Sequence, residues 1–189
     1  MKKILFSLVF LLGFIPNVTE ADVTIRIVDL QSKIMRVTYT WIADVAGETY
    51  GIFPGGNGYE FASGPIKVIS VIEKNTEQEL DYEVVTAPKG GGQSIKVIYP
   101  NPVPKGGNFK IEVTVEAKTN DISRDSKGRY VFTYRTAHVA FFVLPEGHAI
   151  VYSNYPVLVY ERKGRTVVQV KETGMKKLIF KTRAFRFPK

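Results

Sequence analysis

Ten consecutive residues, Phe109 to Lys118, alternate apolar and polar side chains without a break. Phe109, Ile111, Val113, Val115 and Ala117 share one parity; Lys110, Glu112, Thr114, Glu116 and Lys118 share the other. Neighbouring side chains of an extended strand point to opposite faces, so this run has one dry face and one wet face. A helix would need apolar positions every three or four residues and cannot use the pattern. The same period returns in Met35, Val37, Tyr39 and Trp41 against Arg36, Thr38 and Thr40, and in shorter form at 23–28, 66–72, 80–85, 94–99 and 130–135. Val139 to Leu144 is apolar at every position, the pattern of a central strand covered on both faces. Further strands are expected at 149–152, 156–160, 166–170 and 177–183. The total is roughly a dozen strands, with no amphipathic helix after the first 21 residues.

Turn chemistry falls between these runs. Gly90-Gly91-Gly92, residues 100–107, Pro145-Glu146-Gly147, Lys163-Gly164 and Gly174 all lie at joints, where glycine supplies positive backbone angles and proline removes a ladder donor. Short strands separated by such joints predict a sandwich or barrel. The expected class is all-β: an immunoglobulin-like β-sandwich, extended or two-lobed. The polar stretch KTNDISRDSKGR ending at Arg129 is the best boundary. It divides a sandwich at 22–118 from a polar loop at 119–129 and a second β lobe at 130–189. The first part has the length of one immunoglobulin-like unit, about 100 residues. The second, about 60 residues long, buries too little surface to be robust alone and is expected to pack on the first.

Residues 1–21 read as a secretory leader. Lys2 and Lys3 precede an apolar run from Ile4 to Ile15, interrupted only by Ser7 and Gly13; Pro16-Asn17 then breaks the run ahead of Thr19-Glu20-Ala21. These small residues suit cleavage before Asp22. The run is shorter than the about 20 apolar residues of a spanning helix, and no later segment is long enough to be one. The expected address is periplasmic or secreted. Removal of 21 from 189 residues leaves 168, carrying 24 Lys or Arg against 17 Asp or Glu, a net charge of +7.

The chain has no cysteine and two histidines, which excludes disulfide scaffolds, thiolate zinc sites and cysteine catalysis. Nucleophilic catalysis by serine would have to use His138 or His148 as base, and no Gly-x-Ser-x-Gly elbow accompanies either. A hydrolase using His138 and His148 is therefore an alternative reading, against a plain strand-end histidine and loop histidine. Neither Gly-x-Gly-x-x-Gly nor a phosphate loop occurs. Asp121, Ser123 and Asp125 beside Asn120 imitate a calcium loop, but Ser126 stands at the turn glycine and Phe132 at the bidentate Glu. No metal and no cofactor are expected.

Two segments qualify as binding surfaces. Thr49 to Pro65 combines Tyr50, Phe53, Tyr59 and Phe61 with five glycines. Rings on such a backbone either stack on a ligand, as in a carbohydrate-binding module, or fold back to cap the core. Lys176 to Lys189 holds Lys176, Lys177, Lys181, Arg183, Arg186 and Lys189 with no acid. It suits either an anionic partner or an edge strand protected by charge. Nucleic acid is not an expected partner of an exported chain without a recognition motif. The expected partner is a protein or glycan at the cell envelope, including a larger assembly that exchanges an edge strand.

The turn Asn101-Pro-Val-Pro-Lys-Gly-Gly leading into the Phe109 to Ala117 strand, and Val143-Leu-Pro-Glu-Gly running into Ala149 to Tyr152, resemble the all-β modules at the front of M1-type aminopeptidases and in the lumenal part of ribophorin I. The resemblance implies a sandwich-like accessory module. It implies no peptidase activity, because the His-Glu-x-x-His zinc helix and the Gly-x-Met-Glu-Asn peptide of those enzymes are absent. The expected protein is an exported, non-catalytic binding or assembly module.

Overall fold

The computed structural model describes residues 22–87, 91–106, 109–136, 139–170 and 176–184. Residues 1–21, read from the sequence as a leader, lie outside them. The described residues form fifteen strands. In chain order these are β1 (Asp22–Asp29), β2 (Ile34–Ala43), β3 (Tyr50–Phe53), β4 (Lys67–Glu73), β5 (Gln78–Glu79), β6 (Tyr82–Thr86), β7 (Gln93–Ile98) and β8 (Phe109–Lys118). There follow β9 (Ile122–Arg124), β10 (Tyr130–Thr136), β11 (Ala140–Val143), β12 (His148–Ser153), β13 (Leu158–Arg162), β14 (Arg165–Val170) and β15 (Lys176–Ala184).

Three sheets result. The largest has eight strands in the order β13-β14-β11-β1-β2-β8-β4-β5; a second runs β12-β15-β10-β9, and a third β3-β7-β6. Register explains the core. Val168, Phe142, Ile25, Val37, Val115 and Val68 stand opposite one another in successive strands, forming one apolar row across the large sheet. A second row runs Val170, Ala140, Val23, Tyr39, Val113 and Val71. Nearly every member is buried, and of the alternating positions of β8, Ile111, Val113, Val115 and Ala117 are buried while Phe109 is half-buried.

The smaller sheets pack against these rows. Trp41 of β2 meets Phe53 of β3 edge-on at 5.1 Å, and Tyr134 of β10 meets Phe142 of β11 edge-on at 5.3 Å. Each such contact adds about 1 kcal/mol beyond simple burial. The opposite face of the large sheet carries polar pairs, including the Thr38–Thr114 hydroxyl pair at 3.0 Å and the Arg36–Glu116 ion pair at 2.7 Å.

The fold is thus all-β and sandwich-like, and each strand expected from alternation is present. Its plan differs from the immunoglobulin-like pair of antiparallel sheets. There are three sheets, and β1 pairs in parallel with β11, more than a hundred residues later. Local alternation is blind to that pairing. Through it, β11, β14 and β13 continue the sheet begun by β1, β2 and β8, so the large sheet runs across the 119–129 loop. That loop is itself partly extended: β9 pairs with the start of β10. β11 is central, as its apolar composition predicts, lying between β14 and β1.

Candidate functional site

The aromatic glycine segment is anchored to the three-stranded sheet. β3 pairs with β7, and beyond it the Tyr59 N–H donates to the Gln93 carbonyl at 2.9 Å while the Gly92 N–H donates to the Asn57 carbonyl at 2.7 Å. Gly58 makes the close approach feasible. Its φ is +71°, and a Cβ there would stand 2.5 Å from the Gln93 carbonyl oxygen. The chain therefore folds inward and carries its rings with it.

Phe53, Tyr59 and Phe61 are buried, with Tyr59 and Phe61 edge-on at 5.8 Å. The Tyr59 hydroxyl is enclosed without a hydrogen-bond partner among the described residues. Burial, followed by the neighbouring Tyr39, pushes its pKa well above the usual phenol range. Only Tyr50 is open, at 50% exposure, with the Lys96 ammonium 5.2 Å from its ring centroid. A stacking platform needs ring faces in solvent. Phe53, Tyr59 and Phe61 instead turn into the core, as in the fold-back alternative for this segment.

The basic C-terminal segment also sits differently from an edge. β15 lies between β12 and β10, so protection of a free edge does not account for its composition. Lys176 and Lys177 stand opposite Thr136 and Arg135, Lys181 opposite Val131 and Tyr152, and Arg183 opposite Ala149. Arg186 lies outside the described residues, as does His138. His148 opens β12; its Nδ1 donates to the Glu146 carbonyl at 3.1 Å, and its ring stands edge-on to Tyr130 at 6.3 Å. Asp125 of the imitation calcium loop accepts from the Arg129 Nε at 2.8 Å and from the Lys127 and Arg129 amides, and these bonds, led by the Arg129 side chain, lower its pKa. Among the described residues no group of three or more acids, histidines or cysteines could hold a metal ion, and no helix is long and apolar enough to cross a membrane.

One surface was not singled out by sequence reasoning. β13 is the end strand of the large sheet and is exposed on both faces: Leu158 and Val159 at 48%, Tyr160 at 39%. Val159 stands opposite Val168, so the first core row continues into solvent there. Val151 and Tyr152 of β12 are exposed as well, at a bulge in the β12–β15 pairing. The signal available in sequence was the apolar Leu158-Val159-Tyr160 triplet, which reads equally as a buried strand.

No family model matches the sequence, and no curated protein does. Solved structures do match. The M1 zinc metallopeptidase from Deinococcus radiodurans superposes with a TM-score of 0.51 at 10% identity, over 86% of this chain and 41% of that one. Leukotriene A4 hydrolase from Saccharomyces cerevisiae superposes with a TM-score of 0.56 at 8% identity, over 87% of this chain and 28% of that one. The fold resembles part of an M1 metallopeptidase. At these identities the likeness is one of fold, and the expected resemblance to an all-β module of M1-type aminopeptidases is borne out at that level. The chain spans less than half the length of either protein. No His-Glu-x-x-His occurs in the 189 residues of this chain.

Proposed function

We propose that this chain is a non-catalytic binding or assembly module, exported to the periplasm or beyond, that docks a partner polypeptide by strand addition at β13. The observation carrying the reading is the exposed end strand, where one backbone edge has no strand partner among the described residues and borders an apolar triplet in register with the core. Such an edge is a template for pairing unless something covers it. A polypeptide is the occupant such an edge suits, because an extended backbone supplies the complementary donors and acceptors of a ladder. Export rests on the composition of residues 1–21.

A photo-crosslinking residue placed at Val159 and expressed in the native envelope tests the docking surface. The expected result is a discrete crosslinked protein species, lost on Leu158→Lys with Tyr160→Lys. A crosslinker at Val159 that yields no protein adduct, while one at Lys105 does, overturns the reading. A second reading, an anionic partner at Lys176, Lys177, Lys181, Arg183 and Arg186, is favoured by the central position of β15, which leaves its basic composition without an edge to protect. It predicts salt-sensitive sedimentation with vesicles containing anionic lipid, weakened by Lys177→Gln with Lys181→Gln.

A further inference from the structure

On the side of the molecule where the β1–β2 turn meets the β9–β10 hairpin there is a cleft of about 360 Å3. The turn lines it with Leu30, Gln31 and Lys33; β9 contributes Ile122, Ser123 and Arg124, and Tyr130 stands behind them. Leu30 and Ile122 are buried and form an apolar floor. The remaining lining is donor-rich and contains no carboxylate. Asp29 and Asp125, the acids next to it in sequence, are both occupied. Asp29 accepts from the Gln31 and Ser32 amides at 2.7 and 3.1 Å and from the Ser32 hydroxyl, and Asp125 holds Arg129.

Arg124 is anchored by its side chain and Lys33 by its backbone. Arg124 lies with its guanidinium 4.5 Å from the Tyr130 ring centroid and donates one N–H to the Tyr130 hydroxyl. Stacking fixes the plane of the fork, and the guanidinium keeps further donors for a second partner. The Lys33 backbone is held in the left-handed region at φ +54°, and its carbonyl accepts from the Thr119 amide at 2.9 Å. Neither Lys33 nor Arg124 belongs to an ion pair among the described residues. A stacked guanidinium and an ammonium, neither in an ion pair among the described residues, stand beside a hydroxyl and an amide, the donor set of an oxyanion receptor. The volume exceeds what a bare oxyanion fills and falls at the lower end of small-molecule sites, about 300–1,000 Å3.

We propose that this cleft binds a small molecule carrying a carboxylate or phosphate on a compact apolar body, with Arg124 and Lys33 clasping the oxyanion and Leu30 and Ile122 receiving the body. The proposal is independent of docking at β13. Its test is an amide NMR titration of the full chain with phenyl phosphate, with 3-phenylpropionate and with neutral benzyl alcohol. Saturable shifts at Gln31, Lys33, Ser123 and Arg124 are expected from one or both anions, and none from the alcohol. Arg124→Gln should weaken binding at least tenfold and Lys33→Asn, which tolerates the left-handed backbone, about threefold, whereas Lys105→Gln leaves it unchanged. The stronger anion identifies phosphate or carboxylate as the preferred head. Absence of saturation by both anions overturns the proposal, as do equal shifts from benzyl alcohol or undiminished binding in both cleft variants that keep the parent spectrum elsewhere.

Discussion

Tyr59 occupies a position where its ring is needed and its hydroxyl is not. The ring fills the core beneath the 54–62 loop, while the buried oxygen has given up water without gaining a partner among the described residues. Deleting an unsatisfied buried hydroxyl removes a desolvation cost. Tyr59→Phe is therefore expected to leave stability unchanged or raise it by up to about 1 kcal/mol, read from the urea midpoint. Gly58→Ala should act in the opposite sense. The left-handed φ and the backbone carbonyl 2.5 Å from the new Cβ act together, for a loss of about 2–4 kcal/mol. The buried phenols also set an alkaline limit. Burial raises the pKa of Tyr39, Tyr59 and Tyr134, and burial with Glu48 nearby pushes Tyr99 up to about 12. A phenol whose folded pKa exceeds its unfolded value contributes stability that is intact below about pH 10 and declines as pH rises towards the folded value. Urea midpoints should hold up to about pH 10 and fall above it, and a midpoint rising between pH 10 and 11.5 would contradict this assignment.

At the scale of strands, the value of an apolar residue depends on how far its row extends on either side. Phe142 has Ile25 on one side, Val168 on the other and the Tyr134 ring against its edge. It joins the eight-stranded sheet to the four-stranded one. Phe142→Ala should cost about 3–5 kcal/mol. Val159 belongs to the same row but is half open at the end strand, and Val159→Ala should cost less than about 1 kcal/mol. Similar losses for the two in chemical denaturation would mean that β13 is covered in the free protein. This difference also marks what the sequence could convey. Alternation located nearly all the strands, because one-sided burial is a local property written every second residue. It missed β5 and β9, which are two and three residues long, and β3, where Gly51 interrupts a four-residue run. Exposure was less legible. Phe61 and Tyr50 lie in one glycine-rich segment with the same composition, yet only Tyr50 faces water, because the bonds from the Gly92 and Tyr59 amides turn the rest of the loop inward. The cations of β15 resemble edge protection in sequence, and only strand order, a non-local property, places that strand in the middle.

For the molecule as a whole, the parallel pairing of β1 with β11 bears on whether the chain has one folding unit or two. Sequence composition favours a cut in the polar stretch 119–129, since charge and turn residues gather there. Sheet order opposes it. A fragment ending at Arg129 would lose β10 to β15, leaving β9 as the sole remnant of the four-stranded sheet and turning β1 into an end strand. Val23, Ile25 and Ile27, now buried, would then lie along an uncovered margin, with two of the six members gone from each apolar row. Loss of that burial removes several residues' worth of hydrophobic stabilisation, each about 1.5–3 kcal/mol, against a total for such a domain of only about 5–15 kcal/mol. The 22–129 fragment alone is expected to unfold without a cooperative transition or to aggregate through β1. Co-expression with 130–189 should restore a single sharp transition, because the cut loop itself carries little of the core. A 22–129 fragment that unfolds cooperatively at the midpoint of the intact chain would instead make 119–129 a true boundary between independent domains. The β1–β11 ladder would then be a docking contact added after each had folded.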